Sequence, residues 1–221
     1  MTSVLFEADD AAGIVHPLWL HADECCVVAI KPSGLLSVPG RTVADCHWAR
    51  LRAAFADLRV VHRLDMATSG LIVYARGNES QRCLSRAFAE RAVDKDYVAE
   101  VAGLVEDDEG EIDVPLSADW PSRPRQQVDP VRGRPALTRF RVLARDCAGA
   151  TTRLALQPVT GRSHQLRVHL CALGHPILGD RLYAPPAIAA RADRLLLHAT
   201  GLAFSHPGHG DRMNFLSPAP F

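Results

Sequence analysis

The sequence predicts an α+β fold, a mixed and largely antiparallel sheet flanked by helices. Three observations point there. Short apolar runs bounded by Gly, Pro and polar turn residues recur along the chain, as strands require. Longer stretches place apolar residues at helical spacing, the mark of amphipathic helices. No internal repeat interrupts this mixed pattern, and helices laid over a largely antiparallel sheet define the class.

The apolar run 25–30 is the first clear strand, and it stops at the turn Lys31-Pro32-Ser33-Gly34. Residues 43–57 follow as an amphipathic helix, with Ala44, Trp48, Leu51 and Phe55 at helical spacing. Residues 60–62 and 71–75 read as two strands separated by a polar loop. A second helix starts at Asn78, a residue suited to capping free N–H groups, with Gln81 at the capping-box position. Leu84, Ala87, Phe88 and Arg91 continue it, and the strand 97–101 comes next. The acidic stretch 106–113 and the Pro/Arg-rich stretch 121–135 have the composition of loops. Residues 138–144 and 153–156 pair as strands across a turn at Gly149. Residues 163–173 form a helix with Leu166, Leu170 and Leu173 on one face, Ser163 as N-cap, and Gly174 with Pro176 as its stop. The runs 195–204 and 213–216 supply further strands.

With 221 residues, 48% hydrophobic and 23% charged, the chain suits one soluble globular domain or two closely fused lobes, and disorder is excluded. The net charge is zero, with 25 basic and 25 acidic side chains, which taken alone argues against a polyanionic partner. The charges are segregated, however. Residues 103–119 carry seven acidic side chains and no basic one, whereas 121–145 carry seven arginines against Asp129 alone. A local basic surface is therefore expected, built from Arg in a chain whose only lysines are Lys31 and Lys95. No apolar run approaches the length of a membrane span, and Glu7, Asp9 and Asp10 precede any Lys or Arg, the wrong polarity for a signal or transit peptide. A cytoplasmic protein is expected. Six cysteines form no Cys-x-x-Cys pair, so a reduced and mostly buried set is expected, without disulfides or zinc. His164 and His169, five apart, are a poor chelating pair. The signatures of NTPases, dinucleotide enzymes, zincins and base deaminases are missing, which leaves a cofactor-free reaction or none.

Two constellations stand out. His62-Arg63-Leu64-Asp65-Met66-Ala67-Thr68-Ser69-Gly70 forms a polar loop between strands, a rigid base for side chains open to a ligand. Taken alone, Asp65 could equally cap the turn with Thr68 and Ser69 or pair with Arg63. Thr160-Gly161-Arg162-Ser163-His164-Gln165-Leu166-Arg167 puts two arginines at a helix start, which suits either an anion site or a capped, solvated surface helix. Tyr97, at a strand start, is equally consistent with packing.

Together and in order, these segments resemble the RluA-type pseudouridine synthases. His62-Arg63-Leu64-Asp65-x-x-Thr68-Ser69-Gly70-Leu71 matches the family's catalytic motif, Lys95-x-Tyr97 its second, and Gly161-Arg162-x-His164-Gln165-Leu166-Arg167 its third. The similarity extends through Lys31 to Gly40, Asp119-Trp120-Pro121 and Gly174 to Arg181. It covers nearly the whole chain and matches the form without an N-terminal S4 RNA-binding domain, so residues 1–221 are expected to be one catalytic domain. The resemblance implies a sheet with its active-site cleft in the middle, no cofactor or metal, and isomerisation of uridine in folded RNA. The implied targets are a large-subunit (23S) ribosomal RNA hairpin and the anticodon stem-loop of transfer RNA. A monomer is expected, since the RNA cleft itself should occupy the most adhesive surface. It implies Asp65 as the catalytic carboxylate, Arg162 as its partner, and Tyr97 as the ring that stacks on uracil and helps remove the C5 proton. Arg63 is implied to enter the RNA stack when the uridine leaves. His62, His164, Gln165, Arg167, Arg123 and Arg125 complete the residues assigned to RNA. A relative restricted to ribosomal RNA, or a non-catalytic RNA-binding module on the same fold, are the competing readings.

Overall fold

The computed structural model describes residues 6–8, 15–17 and 19–221. The chain divides into two compact units. The first comprises the described residues up to Val93 together with Leu202–Ser217, the second Asp94–Gly201 and Pro218–Phe221.

In the first unit β1 (Phe6–Ala8) pairs antiparallel with β2 (Val15–Pro17). The sheet of this unit begins with β3 (His21–Ala22) and β4 (Cys26–Lys31), which are antiparallel neighbours. After α1 (His47–Arg52) come β5 (Leu58–Val60), β6 (Ser69–Arg76) and α2 (Gly77–Ala89). Both β4 and β5 run antiparallel to β6, with Val28 opposite Val73 and Val60 opposite Tyr74. Every residue of β6 from Ser69 to Ala75 is buried, which explains its continuous apolar run: both faces are covered. One face packs Leu71, Val73 and Ala75 with Cys26, Val28, Leu84 of α2, Leu202 and Phe204. Val27, Ala29, Ile72 and Tyr74, which alternate with these, are buried as well, and His47 of α1 lies against Tyr74.

The helix expected over 43–57 shrinks to His47–Arg52. Val43 and Ala44 are exposed and give its first turn no face to bury. Cys46 caps it instead, its Sγ accepting the Ala49 N–H, and irregular turns carry Phe55 onto Trp19 with ring centroids 5.0 Å apart. In α2 Asn78 is not the cap: the cap residue is Arg76, without a side-chain bond, and Gln81 donates to the Val60 carbonyl across to β5. The helix ends at Ala89, and Arg91 lies beyond it in the left-handed region. The strand expected over 60–62 is β5, and His62 belongs to the loop that follows.

The second unit runs β7 (Asp94–Ala102), β8 (Glu109–Asp113), β9 (Leu116–Ala118), β10 (Gln126–Val128), β11 (Leu137–Asp146) and β12 (Thr151–Pro158). Then follow α3 (Gln165–Ala172), α4 (Pro186–Ala189) and β13 (Leu197–Ser205), along which the chain returns to the first unit before β14 (Arg212–Leu216). The sheet order is β13-β7-β12-β11-β8, and β9 pairs separately with β10. From β7 through β12 and β11 to β8 the neighbouring strands pair antiparallel. Both stretches read as loops thus contain strands. Glu109–Asp113 is β8, where Arg139 lies opposite Glu111 across the ladder and bonds it at 2.8 Å; just before the strand, Asp108 meets Arg145 at 2.8 Å. The six cysteines are free, but only Cys26 and Cys46 are buried, while Cys83 and Cys147 are exposed. Among the described residues no helix is long and apolar enough to cross a membrane.

Candidate active site

In the first unit the loop between β5 and β6 carries His62, Arg63 and Asp65. Its backbone is held at successive residues by the turn that follows β4. Ser37 Oγ donates to the Leu64 carbonyl at 2.7 Å and accepts the Leu64 N–H at 3.1 Å. Ser33 Oγ donates to the Ala67 carbonyl at 2.7 Å, and the Gly34 N–H donates to the Met66 carbonyl at 2.8 Å. Gly34 makes that bond with φ +85, a conformation a side chain would strain. Lys31 completes the clamp. Fully buried, its ammonium donates to the carbonyls of Pro32 (2.7 Å), Leu35 (2.8 Å) and Met66 (3.1 Å). A buried cation is tolerated because all its hydrogens are used.

Asp65 itself is half-buried and Arg63 exposed. Asp65 also shapes its own turn, its carbonyl accepting the Thr68 N–H at 3.1 Å. His62 turns inward: Nε2 accepts the Val73 N–H at 3.1 Å, and the ring stacks on Phe88 of α2 at 4.4 Å. Both contacts support the loop.

In the second unit Tyr97 lies on β7 opposite Leu156 of β12, half-buried, on the strand face that carries the buried Ala99 and Val101. The third motif precedes and opens α3. Its cap is His164 and not Ser163, held at φ +54 without a side-chain cap bond. A histidine in this region is strained, and neighbours fix it: Nδ1 lies 2.6 Å from the Tyr183 hydroxyl. Gln165 is buried. Its Oε1 accepts from Thr160 Oγ1 (2.7 Å) and Arg162 N (3.0 Å), while Nε2 donates to the Leu137 carbonyl and to Thr138 Oγ1, both at 3.0 Å. This amide ties the Arg162 backbone to β11, and Arg162 Nε donates to the Pro135 carbonyl at 3.1 Å.

Arg167 is buried too, in a two-bond ion pair with Asp180 (Nε–Oδ2 2.8 Å, Nη2–Oδ1 2.7 Å). Gln165 and Arg167, assigned to RNA from the motif, are both buried and bonded to neighbouring groups of the second unit. Arg123 and Arg125 do face outward. Arg125 lies over the Tyr183 ring at 5.4 Å, and the Tyr183 hydroxyl also accepts the Gln126 N–H at 2.8 Å. Tyr183 and Asp180 thus hold the third motif in place, and nothing in their residue types singled them out.

A further polar cluster escapes sequence spacing altogether. Asp23 Oδ1 accepts the N–H groups of Cys25 and Cys26, and Oδ2 lies 2.6 Å from His21 Nε2 and 3.0 Å from His206 Nε2. Burial would raise the Asp23 pKa, but the bonds from Cys26, His21, Cys25 and His206 outweigh it and hold the carboxyl well below its usual range. Asp23, Cys25 and His206 are close enough to share a metal ion. Yet His206 Nδ1 accepts the Gly208 and His209 N–H groups, which leaves the ring proton on Nε2 facing Asp23. That arrangement fits a hydrogen-bonded tie better than a metal ligand.

The family model for RNA pseudouridylate synthase matches residues 26–172. The chain is 53% identical over 190 residues to the dual-specificity RNA pseudouridine synthase RluA of Vibrio cholerae, covering 85% of this chain and 77% of that protein. It is 50% identical over 204 residues to the protein of the same name from Escherichia coli K12, covering 91% and 93% of the two. Among solved structures, human RNA pseudouridylate synthase domain containing 1 matches with a TM-score of 0.77 at 27% identity, over 92% of this chain and 83% of that one. With the motif loop clamped on its turn and the third motif anchored at α3, the chain belongs to the RNA pseudouridylate synthase family.

Proposed function

We propose that the protein isomerises uridine to pseudouridine in two kinds of folded RNA, a large-subunit ribosomal RNA hairpin and the anticodon stem-loop of transfer RNA. The reading is supported above all by Asp65, a half-exposed carboxylate on a loop whose backbone is pinned at Leu64, Met66 and Ala67. The 50% identity to dual-specificity relatives along nearly the full length of both chains supports the pair of targets. In the reaction the C1′–N1 bond breaks, the uracil turns in place, and C5 bonds to C1′. The C5 proton leaves and N1 takes one up, so atoms balance without a cofactor. Asp65 acts ionised, at the sugar or the base. One carboxylate suffices because uracil stays bound and returns, whereas glycoside hydrolysis needs a second carboxyl group to handle water or a leaving oxygen.

Arg162 supplies the charge partner of Asp65. Tyr97 offers a ring for stacking and a phenol to help move the C5 proton. Arg63 fills the gap that the displaced base leaves in the RNA stack. The enzyme acts as a monomer in the cytoplasm. Pseudouridine mapping of ribosomal and transfer RNA, with and without the gene, tests the targets. Loss of modification from both RNAs supports the proposal. Loss from ribosomal RNA alone narrows it to a single-target enzyme, and no loss from either contradicts it.

A further inference from the structure

Trp120 is the most conspicuous exposed side chain of the second unit that no role above absorbs. It is 69% exposed although tryptophan offers the largest apolar surface of any residue. The Arg123 guanidinium covers one face of the indole, 3.1 Å from a ring centroid, so the exposure belongs to the opposite face and the edges. Arg123 and Arg125 also differ from other arginines of the basic stretch. Arg139 and Arg145 are neutralised by Glu111 and Asp108. Among the described residues Arg123 and Arg125 meet aromatic rings and no carboxylate.

The turn that presents them is preorganised. Asp119 N donates to the Arg125 carbonyl at 3.0 Å, Ser122 N to Asp119 at 3.2 Å, and Arg125 N to Ser122 at 3.1 Å. The next residue, Gln126, donates its N–H to the Tyr183 hydroxyl, which also meets His164 of the third motif. Trp120 and Arg123 are therefore fixed to the same frame as Arg162. A flat open π-face backed by a guanidinium, beside a second unneutralised arginine, suits a planar base attached to a phosphate. Bases inside a duplex have no free face to offer, so the ligand is an unpaired nucleotide.

We propose that the Trp120–Arg123 pair is a stacking platform for an unpaired base of the substrate RNA, with Arg125 placed for the neighbouring phosphate. The proposal rests on the reading of the protein as an enzyme of folded RNA. It assigns to the platform affinity and orientation of the RNA, and not the choice of uridine, because stacking accepts any base.

The test compares wild-type protein with Trp120→Ala, Trp120→Phe and Arg123→Gln on a transfer-RNA anticodon stem-loop, reading affinity, its salt dependence, KM and kcat. Trp120→Ala is expected to weaken binding and raise KM by roughly five- to a hundredfold with kcat and the salt slope unchanged. Trp120→Phe restores most of the affinity because a ring returns. Arg123→Gln lowers the affinity because the indole loses its backing, with a smaller change in salt slope than the roughly one counterion expected when the phosphate contact of Arg125 is removed. Wild-type affinity in Trp120→Ala overturns the platform, as does a loss that Trp120→Phe fails to recover. Wild-type protein that binds the stem-loop but forms no pseudouridine in any RNA defeats the enzymatic reading instead, and the affinity comparison at Trp120 still decides the platform.

Discussion

A fully buried lysine destabilises a fold unless each ammonium hydrogen finds an acceptor. Lys31 meets that condition with three carbonyls, one of them on Met66, next to Asp65. Lys31→Met keeps the stem but strands those carbonyls, so we expect a loss of roughly 3 kcal/mol in unfolding free energy. A fall in kcat accompanies it, because the Asp65 loop loosens. Chemical denaturation and single-turnover kinetics check both effects; unchanged values in the variant contradict the clamp. His47 makes a related point about pH. Burial, then the charges of Lys31 and Arg50, pull its imidazole from 6.5 down to about 3. The folded pKa is depressed, so the unfolded chain takes up the proton first as pH falls. Stability is full above the unfolded value and declines between 6.5 and about 3, by up to about 1.4 kcal/mol per pH unit. In His47→Gln the difference in unfolding free energy between neutral and mildly acidic buffer should shrink. For Tyr97→Phe the ring remains and the phenol goes, so RNA affinity should hold while turnover drops; lost affinity with unchanged turnover per bound complex would contradict the proton role.

At the scale of elements, α3 and the loop before it depend on the buried pair Arg167–Asp180. Asp180 Oδ1 also accepts the N–H groups of Leu182 and Tyr183, and Tyr183 carries the anchor to His164. Arg167→Met leaves that carboxylate buried without its cation, and a loss of about 3–5 kcal/mol is expected on urea unfolding. A variant as stable as wild type would show that the pair is dispensable. The same elements mark what the sequence could and could not reveal. Strands such as β4 and β6 were legible because their apolar runs are continuous. The helix at 43–57 was overextended because spacing alone does not show that Val43 and Ala44 have nothing to pack on. Strand β8 was hidden because its side chains are acidic, and their partners lie about thirty positions away on β11. Asp65, Tyr97 and Arg162 were legible as motif residues. The burial of Gln165 and Arg167 was not, since polar motif residues look alike in sequence whether they face substrate or hold the backbone. Lys31, Asp180 and Tyr183 gain their roles only through contacts made by the folded chain.

For the whole molecule, the balance of charges is more local than the sequence suggested. The acidic and arginine-rich stretches do not form two separate patches, because β8 returns Glu111 to Arg139 while Asp108 reaches Arg145. The basic surface left without carboxylate partners is smaller and includes Arg123 and Arg125, which meet aromatic rings among the described residues. Removing a paired arginine, as in Arg139→Gln, should leave RNA affinity and its salt dependence near wild type. Arg125→Gln should weaken binding and lower the slope of log affinity against log salt by roughly one. Equal effects at both positions would contradict this division. In the proposed reaction, uridine isomerisation depends on the carboxylate of Asp65, held on its clamped loop. Tritium release from RNA carrying 5-tritiated uridine measures that directly, with wild-type protein beside Asp65→Asn, which keeps the shape and removes the charge. Release by wild type and none by Asp65→Asn is expected, with RNA affinity and unfolding free energy unchanged; near-normal release by Asp65→Asn would contradict this role.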